Sequence, residues 1–420
     1  MNSKTLQAFF SAAMGTVVEY YDYALISLFM PIMAPLFFPA DTIYQSLVKG
    51  YYIILLAMIA RPLGGLFFGY IGDVAGRRTA LLSSMYGIAL ATFAVGVIPT
   101  YASIGVWAII TIGVTKAIQV FCFGGEFNGA GIYVVEHVPP KHENLAGSLL
   151  TATTLSGSLV ASLIGILLTT DFMPDWSWRI AFIFGGVIGF FGIVYRKRLI
   201  ESPRFKPAAE NTLPLLVMIK KFPRELLAAM FMGGFAVISF TTTITFITPV
   251  FMAEGSITTH ELMFLESGLT LLGMLALIPI GFIADKFSAQ KMLVFGCWAL
   301  TIFAYPLLYL IDSHKVFNLV FASSCLIIIN EMVVGPTHAF LKNLFPMGYR
   351  YRGSSFGFCL GMSLFGGLTP VVESYLYSYT NHFTALSLWL AFIGLGTLFS
   401  INYAVSRKAI VLADTVGLVE

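Results

Sequence analysis

The sequence predicts an all-α polytopic membrane protein, with twelve transmembrane helices arranged as two pseudo-symmetric six-helix bundles. Three observations carry that prediction. Hydrophobic residues make up 58% of the chain and charged residues only 11%, with a mean hydropathy of +0.85, whereas a soluble domain carries about 25% charge. Apolar stretches of about 20 residues, the length needed to cross hydrocarbon, recur along the whole sequence. Finally, Gly69-Tyr-Ile-Gly-Asp73-Val-Ala-Gly76-Arg77-Arg78 returns in altered form as Gly281-Phe-Ile-Ala-Asp285-Lys286-Phe-Ser-Ala-Gln-Lys291. The copies begin at 69 and 281, half of the 420 residues apart, and each joins two apolar runs, the mark of a tandem duplication.

Read between polar punctuation, the spans fall near 9–37, 47–71, 79–99, 104–134, 145–169, 179–195, 225–251, 260–283, 291–311, 317–341, 353–377 and 384–405. The first follows Lys4 and runs far past signal-peptide length with Glu19 and Asp22 inside it, so it reads as a spanning helix and not a secretory leader. No charge separates Arg78 from Lys116, a stretch long enough for two helices, and Pro99-Thr-Tyr supplies the break between them. The polar segment from Arg196 to Arg224 parts the sixth span from the seventh. The organisation expected is an N-terminal bundle over 1–199, a cytoplasmic linker over 200–224, a C-terminal bundle over 225–405 and a cytoplasmic tail over 406–420.

Charge placement sets the orientation. With both termini inside, 19 of the 24 Lys and Arg residues fall in inner segments. These include Lys4, the Arg77-Arg78 and Lys286–Lys291 loops, Arg196 to Arg224, Lys342, Arg350, Arg352 and Arg407-Lys408. Outer loops keep Lys49 and Lys315, while Arg61, Lys116 and Arg179 lie within spans or at their edges. This is the positive-inside pattern, and it predicts a multi-pass protein of the cell inner membrane. There is no phosphate-binding Gly-x-x-x-x-Gly-Lys-Ser/Thr loop, no metal-binding His-Glu-x-x-His and no Cys-x-x-Cys, so an ATP motor, a zinc enzyme and a disulfide scaffold are not expected. Cys122, Cys297, Cys325 and Cys359 all fall in apolar runs and read as packing residues.

Ionisable groups in hydrocarbon cost roughly 2.5–3.5 kcal/mol each even on the lenient insertion scale. Glu19 and Asp22 lie three apart, on one face of the first helix. By helical rise, Glu19, Arg61 and Glu126 fall at similar depths, with Asp22 one turn farther out. Arg61 either neutralises an acid and locks helices together, or lines a central polar cavity. In such a cavity a desolvated carboxylate can carry a proton, and a fixed guanidinium can take a cargo carboxylate bidentately. Lys116 is ten residues from Glu126 on one helix, too far to pair with it, and faces the outer cavity or snorkels. Arg179, in Trp176-Ser-Trp-Arg179, reads as an interfacial anchor. Glu331, deep in the tenth span, is a gate or cavity residue, and Glu373, near the outer end of the eleventh, a gate or solvated one. Tyr20 and Tyr23 either pack or offer ring faces to a quaternary amine. Gly124, Gly125 and Gly129, like Gly65 and Gly69, favour close helix packing.

These residues resemble the major facilitator superfamily, and within it the metabolite:proton symporter branch, over nearly the whole chain. Gly69–Arg78 is similar to that superfamily's signature loop, with Asp285-Lys286 as its echo. More specific are Gly15-Thr-Val-Val-Glu19-Tyr-Tyr-Asp22-Tyr, Arg61-Pro-Leu-Gly-Gly65, Gln119 with Gly124-Gly125-Glu126, Trp178-Arg179-Ile180 and Glu201-Ser-Pro-Arg-Phe205. Gly335-Pro336, Phe345-Pro346, Arg350-Tyr351 and Gly366-Gly367-Leu-Thr-Pro370 also match. The resemblance implies two bundles rocking about a central site, with import of small organic acids or of zwitterionic osmolytes. Carried over by motif, Glu19, Asp22 and Glu126 are proton-coupling residues. By the same resemblance Arg61 and Arg179 would bind the anionic part of the cargo and Asp73, Arg77, Arg78 and Asp285 would control gating; Tyr20, Tyr23, Lys116, Gln119 and Glu331 are further candidates for the substrate site, and Gly76 and Lys286 for the gate. The chain departs from the family pattern at Tyr20 (usually Trp), Lys116 (usually Arg) and Val120 (usually Gly). Its second loop lacks counterparts of Gly76 and Arg77, and the tail after Ser406 shows no coiled coil of the osmosensing kind.

The leading expectation is a non-enzymatic secondary transporter that imports a di- or tricarboxylate-like metabolite with protons by alternating access. The alternatives are a zwitterion such as proline or betaine, or a citrate-type siderophore. Export is less expected, because Gly147–Gly157 in the fifth span lacks the proline of efflux relatives. No cofactor or metal is implied; a proton is the coupling ion, with sodium left open. The expected partners are the cargo and the lipid bilayer, with the chain acting as a monomer and no nucleic acid involved.

Overall fold

The computed structural model describes residues 3–41, 43–170, 172–197 and 215–416. Most of the expected linker, including the Glu201–Phe205 motif, lies outside the described residues, as does Asp171. Twelve long helical elements follow one another. They are α1 (Ser3–Phe37), α2 (Ile43–Met58 and Ala60–Val74), α3 (Arg77–Val97), α4 (Val106–Glu136), α5 (Glu143–Leu168) and α6 (Trp178–Arg196). Next come α7 (Pro223–Phe240, Thr241–Ile247 and Thr248–Ala253), α8 (Thr259–Phe287) and α9 (Ala289–Ile311). Last are α10 (Val316–Leu344), α11 (Arg350–Gly361, Met362–Gly366 and Gly367–Thr380) and α12 (Ser387–Val416). Among the described residues eleven helical stretches are long and apolar enough to cross a membrane, and the 35-residue α1 packs against α5 and α6 beside them.

Every predicted span has its helix, and the differences have local causes. Pro62 has no N–H for the carbonyl of Met58, and α2 breaks at Ile59; the released Met58 carbonyl accepts the Ser363 hydroxyl of α11 at 3.0 Å. In α7 and α11 a π-helical segment precedes Pro249 and Pro370. There the backbone re-registers so that Thr248 N–H reaches the Thr243 carbonyl, five residues back. The expected linker ends in a short helix, Leu215–Lys221, whose Met218 is buried in the core of the second half. α12 runs past residue 405 into the expected tail, as far as Val416. Glu261 closes a capping box with Thr258 at the start of α8.

The halves meet mainly through α5 against α8 and α2 against α11. Close approach needs glycine: a Cβ on Gly124 of α4 would lie 2.2 Å from the Arg61 carbonyl of α2. Large apolar side chains such as Phe191, Phe264 and Phe317 stay exposed around the outside, as a lipid-facing surface requires.

Candidate functional site

Three ion pairs climb one stripe of α1, at residues 15, 19 and 22, one helical turn apart. At the lowest, Glu126 of α4 is bound by both guanidinium nitrogens of Arg196 and by Ser84 Oγ at 2.9 Å. This pair packs on bare backbone, since a Cβ on Gly15 would lie 2.1 Å from Arg196 Nη2. One turn on, Arg61 Nη2 donates to Glu19 Oε1 at 2.9 Å, and its guanidinium lies 5.9 Å from the Phe123 ring centre. At the top, Lys116 Nζ stands 3.6 Å from Asp22 Oδ2 and donates to Gln119 Oε1, while Gln119 Nε2 donates to Thr92 Oγ1 at 2.9 Å. All six charged groups are buried. Lone charges there would cost several kcal/mol each, so this half of the molecule neutralises its acids in pairs.

Across from the stripe stands Glu331 of α10, 1% exposed. Among the described residues it has no ion-pair partner, and its Oε2 has no hydrogen bond. It packs on Gly273 of α8 and is close enough to Tyr20 for their charges to interact. The Tyr20 ring leans on Tyr23 and on Phe127 at 6.3 and 5.8 Å between centres, and Tyr23 is 41% exposed. Arg61 with Glu19, Tyr20, Tyr23 and Glu331 therefore surround one central region.

Toward the face that carries both termini the halves are bolted together. Asp73 accepts from the backbone N–H groups of Tyr351 and Arg352, at 3.3 and 3.0 Å, in the first turn of α11. Asp285 does the same for Asn144 and Leu145, at 2.9 and 3.2 Å, in the first turn of α5. Both aspartates thus sit at the positive ends of helix dipoles in the opposite half. Lys342 donates to Glu143, and Arg350 reaches Glu136 at 3.0 Å, which also faces Arg77 at 3.7 Å. Gly76 turns the first loop at φ 102°, a conformation open to glycine. Ser288 holds the matching place in the second loop at φ 119°. Arg78 donates to the Lys197 carbonyl at 2.9 Å, and Lys286 lies over Phe282.

Other placements differ from the sequence reading. Arg196, counted among the inner-loop cations, is a buried partner of Glu126, so Glu126 does not share a cation with Glu19. Arg179 donates to the carbonyls of Gly96 and Ile98 at the end of α3, at 3.0 and 2.7 Å, and stacks on Trp178. Glu373 is fully buried. Sequence reasoning passed over Glu136, Glu143 and His338. The last is buried, pressed against Phe127 and into notches at Gly131 and Gly147. An apolar stretch holding a single His gave the only sign of it.

The comparisons with known proteins bear on the family and the fold. Residues 8–212 match the family model described as sugar (and other) transporter. A Staphylococcus aureus (strain COL) protein described as a proline/betaine transporter is 30% identical over 401 residues, covering 91% of this chain and 84% of its own. The proline/betaine transporter of Escherichia coli (strain K12) is 27% identical, covering 89% of this chain and 78% of its own. A solved proton:xylose symporter of the major facilitator superfamily superposes with a TM-score of 0.77 at 14% identity, over 96% of this chain and 95% of its own.

Proposed function

The chain belongs to the major facilitator superfamily, in its metabolite:proton symporter branch, and from that premise we propose that it imports a small zwitterionic osmolyte together with protons. The expectation of a di- or tricarboxylate cargo yields to its zwitterionic alternative. The relatives bear the names of proline and betaine transporters, and each cation of the α1 stripe is already engaged by an acid. The observation that carries the reading is the pairing of opposite poles across Tyr20: Arg61 on one side and the unpaired Glu331 on the other.

A zwitterion supplies both complements. Its carboxylate competes with Glu19 for Arg61, and its ammonium or quaternary ammonium meets Glu331 and the faces of Tyr20 and Tyr23. Protonation of Glu19 removes one side of its ion pair and frees Arg61 for the cargo, which ties proton entry to substrate binding. The termini face the cytoplasm, in a bacterial cytoplasmic membrane, so the bolted face is the inner gate. Asp73, Arg77, Asp285 and the Glu143–Lys342 pair hold it shut while the opposite side loads.

Proteoliposomes test this directly. An inward proton gradient is expected to drive accumulation of labelled betaine or proline, with competition by the other zwitterion and none by succinate. Competition by succinate and not by betaine would return the cargo to the organic acids. Uptake indifferent to the gradient would remove the proton.

A further inference from the structure

Glu373 is not used by the mechanism above, and its surroundings give it a task. It stands seven residues before the end of α11 at Thr380, about 10 Å from the face opposite the termini at helical rise. Its carboxyl is 0% exposed. Oε1 accepts from Thr242 Oγ1 in the π-helical segment of α7, and Oε2 has no hydrogen-bond partner. Among the described residues no Lys, Arg or His comes within ion-pair distance of it. The polar contact it makes among the described residues is neutral, Thr242 of α7, and one turn back on α11 the Thr369 hydroxyl accepts from Trp389 of α12 at 2.9 Å.

An anionic carboxylate cannot rest there without a counter-charge, because burying a lone ion costs several kcal/mol. Resting on the symporter reading above, we propose that Glu373 is a second proton-binding site, loaded from the outer face and separate from the acids of α1. Loading forms one O–H bond at Oε2 as a hydronium ion of the outer solvent breaks one of its own and leaves as water, which cancels the carboxylate charge. Thr242 continues to donate to Oε1. Release returns the proton to water on the other side once the halves have rocked.

A polar row leads to the site from outside. Tyr377, one turn along the same face of α11, donates from its hydroxyl to Glu254 Oε1 at 3.0 Å. The other oxygen of Glu254 meets the exposed His314 at 2.9 Å. The π-helical segments of α7 and α11 lie in contact with the outer part of α11, which makes this the part of the second half whose backbone is least regular.

The site is read by infrared difference spectroscopy of the purified protein during a pH titration, alongside proton counting in proteoliposomes. Wild type is expected to show the carbonyl stretch of a protonated carboxylic acid, lost in Glu373→Gln. That variant is expected to keep betaine counterflow, which needs no net proton movement, and to carry one proton fewer per betaine. An unchanged spectrum and an unchanged proton count would overturn the proposal. So would uptake driven by a sodium gradient that Glu373→Gln abolishes, since the ligand would then be sodium. If wild type moves no protons with betaine, the symport reading fails on its own and the infrared band still decides whether Glu373 holds one. Should Glu373→Gln fail to fold, Thr242→Val keeps the acid and removes its donor. The band is then expected to shift, and a band that stays in place counts against the site.

Discussion

In the first half of the molecule Glu126, Glu19 and Asp22 each have a cation within ion-pair distance. In the second half Glu331 and Glu373 are buried just as deeply and have none among the described residues. The contrast separates two uses of an intramembrane acid. A paired acid keeps its charge while its cation stays beside it, as Glu126 does with Arg196, and gives it up only where a proton or a ligand can part the pair, as proposed for Glu19 and Arg61. An unpaired acid must be neutral at rest or meet a cation from outside, so it is available for protons and ligands. The first half fixes positions around α1, and the second half supplies the vacant negative pole.

The sharpest way to break this comparison is at its most enclosed pair. Arg196→Ala leaves Glu126 buried without a cation and is expected to destabilise the protein by about 3–5 kcal/mol. Adding Glu126→Gln should recover much of that loss, as read from thermal unfolding in detergent. Arg61→Ala is expected to insert normally yet lower uptake on the order of 100-fold, because a charged anchor for the cargo is worth roughly 2–5 kcal/mol. Near-normal uptake would remove Arg61 from both of its roles. Glu331→Gln strands no partner, so its unfolding temperature should stay close to wild type. Its betaine affinity should fall about tenfold, or about 1.4 kcal/mol, because the quaternary ammonium loses the charge that faces it, and an unchanged affinity by thermal shift would take Glu331 out of the site. The smallest effect concerns the two loops. Ser288→Gly relieves a side chain held at φ 119° and is expected to stabilise by about 1 kcal/mol, whereas Gly76→Ala should destabilise by a similar amount.

Much of this was legible in the residues. Spans were readable because hydrocarbon demands length and apolarity, and the loop at Asp73 and its echo at Asp285 because a duplication repeats its punctuation. Helical rise put Glu19, Arg61 and Glu126 at one depth and left open which acid Arg61 meets. Arg196 escaped because it stands one residue beyond the expected end of its span, where a cation looks like an ordinary loop charge. Its burial depends on Gly15 in another helix, and no local pattern reports that. The π-helical segments left only Pro249 and Pro370 as traces, since a one-residue widening does not alter composition. Least legible was which acids go without a cation: Glu331 and Glu373 differ from Glu19 in what other helices bring to them in three dimensions.

The two aspartates that bolt the halves grip the opposite bundle by its backbone amides. A catch of this kind is indifferent to which residues occupy the helix starts it grips, so long as they are not proline. Those bonds set no demand on the side chains of Asn144, Leu145, Tyr351 and Arg352, although Tyr351 is held separately by its hydroxyl bond to the Gly125 carbonyl. The same reasoning accounts for the uneven copies within this chain. The second loop has lost the glycine and arginine of the first, yet keeps the one carboxylate that reaches across.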